Sequence, residues 1–155
     1  MSKKIDPSKV KELIGTQYPA PYDEPVRARG KRKLGDEAGL TQFGVNLLRL
    51  EPGVWSAQRH WHKLEDEFIY VLEGEVVLVT DSGEETLSAG DAAGFKAGEE
   101  DGHHLQNRSD KEALVLEVGT RTHNDVVQYP EADLVARMDG KPAMFTRRDG
   151  TPYKA

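Results

Sequence analysis

Phe43, Val45 and Leu47 alternate with Gly44, Asn46 and Leu48, and this two-residue period marks the first clear β-strand of the chain. Pro52-Gly53 turns it, and residues 54–62 read as a second strand. Residues 67–73 (Glu-Phe-Ile-Tyr-Val-Leu-Glu) and 75–80 (Glu-Val-Val-Leu-Val-Thr) flank Gly74, which predicts a hairpin or tight bend. Glu67 shares a face with Ile69 and Val71, while Phe68, Tyr70 and Leu72 share the other. Asp81-Ser82-Gly83 and Ala89-Gly90-Asp91 mark further turns, with short strands at 84–87 and 92–95 and a strong one at 113–119. Strands recurring roughly every eight to twelve residues predict an antiparallel sandwich or barrel.

The flanks differ. Residues 8–14 predict a short helix capped by Ser8 and ended by Gly15. Pro19, Pro21 and Pro25 then impose an irregular arm. Beyond His123, which reads as a surface residue, Glu131–Met138 predicts a helix ended by Asp139-Gly140. Residues 146–153 read as an extension of the kind that packs on a partner subunit.

Composition narrows the function classes. The 155 residues, 37% hydrophobic and 31% charged, suit one globular domain with a sizeable core. No stretch approaches the roughly 20 apolar residues of a membrane span, and the start lacks the apolar run of a secretory signal. Zero cysteines exclude disulfides and thiolate metal ligands, so a cytoplasmic location is expected. Net charge is −6, but residues 1–35 carry nine Lys/Arg against four Asp/Glu, a local +5 that leaves −11 for the rest. Such an arm could touch nucleic acid or an anionic ligand. Without interleaved aromatics, Arg27, Arg29, Lys31, Arg32 and Lys33 read instead as a solvated segment on an acidic body, with no nucleic-acid partner.

The chemistry-bearing residues are concentrated. His60-Trp61-His62, Glu67, His103 and His104 gather four of the five histidines with a carboxylate. Two histidines one residue apart point to one face of a strand, a chelating pair if that face looks into a barrel. Imidazole with carboxylate suits a divalent transition metal such as zinc, manganese, iron or nickel. No Ser/His/Asp arrangement, phosphate-cradling glycine loop or glycosidase-like carboxylate pair accompanies them.

Gly53, six residues, His60-x-His62, four residues, Glu67, six residues and Gly74 resemble the first signature motif of the cupin superfamily. Gly90, Gly98, His103, three residues and Asn107 resemble the second. The resemblance spans residues 43–119. It departs from the family in three places: a first gap of six residues instead of the usual five, Lys96 in place of a proline, and Glu99-Glu100-Asp101-Gly102 lengthening the approach to His103. It implies an all-β double-stranded β-helix, the cupin jelly roll, over residues 42–120. An N-terminal arm (1–41) and a C-terminal extension (121–155) flank it. The whole chain resembles small single-domain bacterial cupins, some loosely labelled sugar-phosphate isomerases.

By this resemblance the metal ligands are His60, His62, Glu67 and one of His103 or His104. The spacing to Asn107 favours His103. A metal so held keeps open positions for a ligand. Isomerisation or epimerisation with zinc or manganese, or dioxygenase chemistry with iron or nickel, would then act on a small polar metabolite. The alternative is a non-catalytic binding or sensing module. A homodimer is expected. Gln58, of the same parity as the histidines, is a candidate substrate contact, as are Phe95 and Asn107; packing is the competing role for Phe95, and backbone satisfaction in a turn for Asn107. Trp61 and Tyr70 read as packing residues, and Glu65 and Asp66 as a solvated turn.

Overall fold

The computed structural model describes residues 2–139 and 142–153. In chain order the strands are β1 (Glu12–Ile14), β2 (Gly30–Lys33), β3 (Phe43–Leu50), β4 (Trp61–His62), β5 (Glu67–Glu73), β6 (Glu75–Thr80) and β7 (Gly83–Ser88). They continue as β8 (Ala92–Phe95), β9 (His104–Gln106), β10 (Ala113–Thr120), β11 (Asp125–Gln128), β12 (Val135–Met138) and β13 (Met144–Thr146). One short helix, α1 (Leu34–Glu37), follows β2. All pairings are antiparallel, in sheets ordered β1-β2-β3-β10-β5-β8, β13-β12-β11-β4 and β7-β6-β9. This is the expected all-β jelly roll.

Alternation decides which side chains enter the core. On β5, Ile69 and Val71 are buried while Phe68, Tyr70 and Leu72 stay exposed, as the parity of Glu67 requires. Leu48 and Leu50 from β3 and Val115 from β10 meet them, and Val76, Leu78, Leu87 and Leu105 close the core from the opposite sheet. Each such side chain contributes about 1.5–3 kcal/mol of burial. Tyr70 therefore packs against no core, contrary to its sequence reading, because its strand face looks outward.

Gly74 is a bend and not a hairpin. β5 pairs with β10 and β8, whereas β6 pairs with β7 and β9, so the chain changes sheets at this residue. Its φ of +78° suits glycine, and a Cβ there would stand 2.7 Å from Glu112 O. The predicted strand over 54–62 is reduced to Trp61–His62, with His60 joined to His103 by an isolated bridge.

Both predicted flanking helices are absent. Residues Pro7–Lys9 form a single 3₁₀ turn capped by Asp6, while Ser8 donates its hydroxyl to Asp6. Glu12–Ile14 then pairs with β2. A seven-residue helix is marginal by itself. Here Glu12 instead reaches past Gly30 to grip Arg49 through two bonds of 2.9 Å. Residues 135–138 are likewise a strand, β12, between β11 and β13, because sheet pairing satisfies this backbone and buries Val135 and Ala136. Gly140, proposed as that helix's end, lies outside the described residues.

The tail does not extend away either. Phe145 and Tyr153 join Val127, Tyr129, Leu134 and Ala136 in a second apolar cluster, which also takes Tyr18 and Tyr22 from the N-terminal arm. Tyr18 meets both Tyr129 (5.7 Å between centroids) and Phe145 (5.5 Å). The two ends of the chain are thus packed together beside β4, which carries His62.

Candidate metal centre

The bridge between His60 and His103 sets the centre. His60 N–H donates to His103 O (3.1 Å) and His103 N–H to His60 O (2.8 Å), so the two residues stand side by side. Their rings lie 4.7 Å apart. His62 follows on β4, and Glu67 opens β5. Three imidazole Nε2 atoms converge on Glu67 Oε1, from His60 at 3.3 Å, His62 at 3.0 Å and His103 at 2.9 Å. Ligand atoms of His60, His62 and Glu67 all lie within 4.8 Å of one another.

The far side of two rings is held. His60 Nδ1 bonds Gln58 O (2.8 Å), and His62 Nδ1 bonds Asp125 Oδ2 (2.6 Å). Asp125 is buried, and its other oxygen accepts from Leu64 N (2.8 Å). A proton on each Nδ1 leaves the Nε2 lone pair aimed at the centre. Phe95 stacks flat on His103, with centroids 3.6 Å apart. His103 Nδ1 is buried without a partner. His104 turns the other way: its Nδ1 meets Ala57 O (2.8 Å), its Nε2 meets Gln106 (3.0 Å), and its ring packs on Trp55.

Electrostatics follow the geometry. Burial opposes charge on His62, but Asp125 and Glu67 outweigh it and push its pKa up to about 10. Burial likewise opposes charge on Glu67, yet the surrounding imidazoles hold its carboxyl well below the usual range. His103 is lowered, chiefly by burial, and His104 falls to about 4 for the same reason.

Two cavities meet at the centre, sharing His62, Glu65, Glu67, Phe95 and His103. One, of about 520 Å³, opens past Trp61, Thr80, Glu84, Glu99 and Asp101. The other, of about 600 Å³, runs toward the arm and is lined by Tyr18, Arg29, Lys31, Asn46, Glu117 and Tyr129.

Residues 46–119 match the family described as "Cupin domain". The fold resembles a Silicibacter pomeroyi structure described as a sugar phosphate isomerase from a cupin superfamily. The two are 44% identical, with a TM-score of 0.93, over 98% of this chain and 97% of that one. The chain belongs to the cupin superfamily. A protein of Acidithiobacillus ferrooxidans, named for a proposed sugar phosphate isomerase activity, is 25% identical with a TM-score of 0.77, over 95% of this chain and 90% of that one. The polyketide cyclase RemF of Streptomyces resistomycificus is 27% identical with a TM-score of 0.61, over 77% of this chain and 80% of that one. No curated protein matches the chain.

The cupin barrel brings His60, His62, Glu67 and His103 together and leaves His104 aside. Phe95 lines both cavities. Gln58 does not enter them: its side chain donates to Tyr22 O (2.9 Å), drawn outward by the arm. Asn107 is fully buried, donating to Leu50 O and Lys111 O and accepting from Ser109, so it is a structural residue. Trp61 stands on a cavity wall. Glu65 is not solvated but accepts from Thr122 and lies 3.8 Å from His62 Nδ1, and burial raises its pKa.

The arm's basic run is also only partly solvated. Lys31 pairs with Glu117 (3.2 Å), and Arg29 bonds Ser56 O (2.8 Å) and Gly15 O (3.1 Å). Sequence reasoning missed Asp125, Glu117 and Tyr129. For Glu117 the available signal was a glutamate set inside an apolar strand run, Val115-Leu116-Glu117-Val118; Asp125 only heads its strand.

Proposed function

We propose that this cupin is a metal-dependent isomerase or epimerase of a small polar metabolite, with His60, His62, Glu67 and His103 holding the ion. The observation that carries the reading is the convergence of three Nε2 atoms on one carboxylate oxygen. That donor set fits a borderline divalent cation such as zinc, manganese, iron or nickel. In this reading residues 42–120 form the barrel, flanked by an N-terminal arm (1–41) and a C-terminal extension (121–155) whose described residues complete its walls. The name of the 44%-identical Silicibacter protein supports isomerisation.

A bound divalent ion would supply Lewis acidity toward a ligand carbonyl. The chain's own residues would do the rest. Glu117 lines the arm-side cavity as an internal carboxylate, bonded to Asn46 (2.8 Å) and Lys31. Burial opposes its charge, but Lys31 and Asn46 keep its pKa below the usual range, so it is ionised, and its place in the cavity makes it the candidate to accept a proton from a carbon next to a carbonyl. Phe95 and Tyr129 wall the ligand from water. Such an internal base favours an enzyme over a silent binding module.

The test is elemental analysis of protein from native cells, followed by a metabolite screen for deuterium uptake from heavy water. Near-stoichiometric transition metal and exchange lost in Glu117→Gln are expected. Metal-free protein, or oxygen consumption in place of exchange, would overturn the isomerase reading.

Among the described residues no helix is long and apolar enough to cross a membrane, and we place the protein in the cytoplasm. We further propose a homodimer through the outer face of the six-stranded sheet. Phe68, Tyr70 and Leu72 are exposed there beside Phe43, with Leu116 paired to both Tyr70 and Leu47. Tyr70→Asp is expected to sediment as a monomer.

A further inference from the structure

The two cavities differ sharply in charge. The one opening past Trp61 is lined by Glu65, Glu67, Glu84, Glu85, Glu99 and Asp101 against Lys96 alone. The arm-side cavity balances Glu65, Glu67 and Glu117 with Arg29, Lys31 and Arg121. Arg121 is engaged by Asp36 (2.6 Å), and Lys31 by Glu117. Arg29 is different. Its two bonds go to backbone carbonyls, its Nε is buried without a partner, and it makes no ion pair among the described residues. A guanidinium held in place with no carboxylate bonded to it, lining a cavity, is an anion receptor by its chemistry. Asn46 adds to it: its Nδ2 is spent on Glu117, and its buried Oδ1 has no donor. A ligand hydroxyl would satisfy that oxygen.

We propose that Arg29, just before β2, forms the anion-binding end of the arm-side cavity, with Lys31 two residues on adding positive charge that it shares with Glu117. Its ligand is a small hydroxylated organic anion, a phosphate ester or a carboxylate. The charged group lies against Arg29 and Lys31, a hydroxyl meets Asn46, and the remaining oxygens point toward the His/Glu centre at the other end. Glu84, Glu85, Glu99 and Asp101, which line only the other cavity, repel the same ligand there, which gives the site one entrance for anions. This inference rests on the proposal above only in taking that cavity as the ligand site, since the anion end requires no metal.

The test is calorimetric titration of the full chain with inorganic phosphate and with malonate, after chelator treatment and again after metal loading. Saturable binding of one or both anions is expected in either state, the tighter of the two identifying the ligand's charged group. Arg29→Gln and Lys31→Gln should each weaken it about tenfold, and Lys96→Gln, in the other cavity, should leave it within about twofold. Because Arg29 also ties down Gly15 and Ser56, Lys31→Gln is the deciding variant if Arg29→Gln loses its fold. Absence of binding in wild type, equal affinity in Lys31→Gln, or loss of affinity in Lys96→Gln would each overturn the assignment. Metal content measured on the same samples separates the two readings. A chain that holds no metal but binds phosphate through Lys31 removes the metal centre and leaves the anion site.

Discussion

The segment matching the cupin family and the segments outside it contribute different things to one site. Residues 46–119 contain His60, His62, Glu67 and His103, all the proposed ligands. Residues before and after contain Tyr18, Arg29, Lys31, Asp125 and Tyr129, which orient a ligand ring or wall the arm-side cavity. The barrel thus sets what kind of ion can sit at the centre. The arms set what can approach it and how tightly His62 is aimed. A fold shared with an isomerase and a polyketide cyclase can host both names only if such surroundings differ.

This division makes its largest prediction inside the barrel. His62→Ala should reduce metal content from near one ion per chain to background in elemental analysis. Full retention would remove the proposed centre. The next test crosses the boundary. Asp125→Asn keeps the size of the side chain but loses the carboxylate that holds His62 Nδ1, and should weaken metal affinity about 10–100-fold in competition with a chelator. Unchanged affinity would confine the site to the barrel and break the comparison. A third sharpens the barrel's own share: His103→Ala should lower metal content more than His104→Ala, whose ring is spent on Ala57 O, Gln106 and Trp55. The reverse ranking would transfer the ligand role.

The smallest effect lies farthest from the centre. Glu12→Gln should cost about 1 kcal/mol in denaturant unfolding by weakening the charged grip on Arg49 that ties β1 down. Bonding to Arg49 holds the Glu12 carboxyl below its ordinary 4.5. The wild-type advantage should therefore be complete above pH 4.5 and vanish as pH falls through the lowered folded value. An advantage that persists at lower pH would assign it to packing.

How much of this was legible depends on the distance over which each residue finds its partner. His60, His62 and Glu67 could be read because strand parity is local, and their glycine-framed spacing repeats a known motif. His103 over His104 followed from the motif spacing to Asn107, with parity allowing only one of the two neighbours, and the bridge to His60 gives it a geometric basis. Asp125 could not be read. It meets His62 only because Val127 pairs with His62 across β11 and β4, a register that nothing local to either segment encodes. The flanking helices failed for the related reason that Glu12 and Val135 find their partners across a sheet. Gln58 had the right parity, but Tyr22 O claims its amide.

The aromatic cluster that joins Tyr18 and Tyr22 to Phe145 and Tyr153 has a consequence for the order in which the protein matures. During synthesis Tyr18 and Tyr22 emerge first and find no aromatic partners until β11 to β13 have followed them out. The barrel's inner strands can pair earlier, since their partners all lie within residues 43–120. The Tyr18 and Tyr129 wall of the arm-side cavity, and the Asp125 contact that aims His62, therefore settle after the barrel, whereas Lys31 can reach Leu48 and Glu117 as soon as β3 and β10 pair.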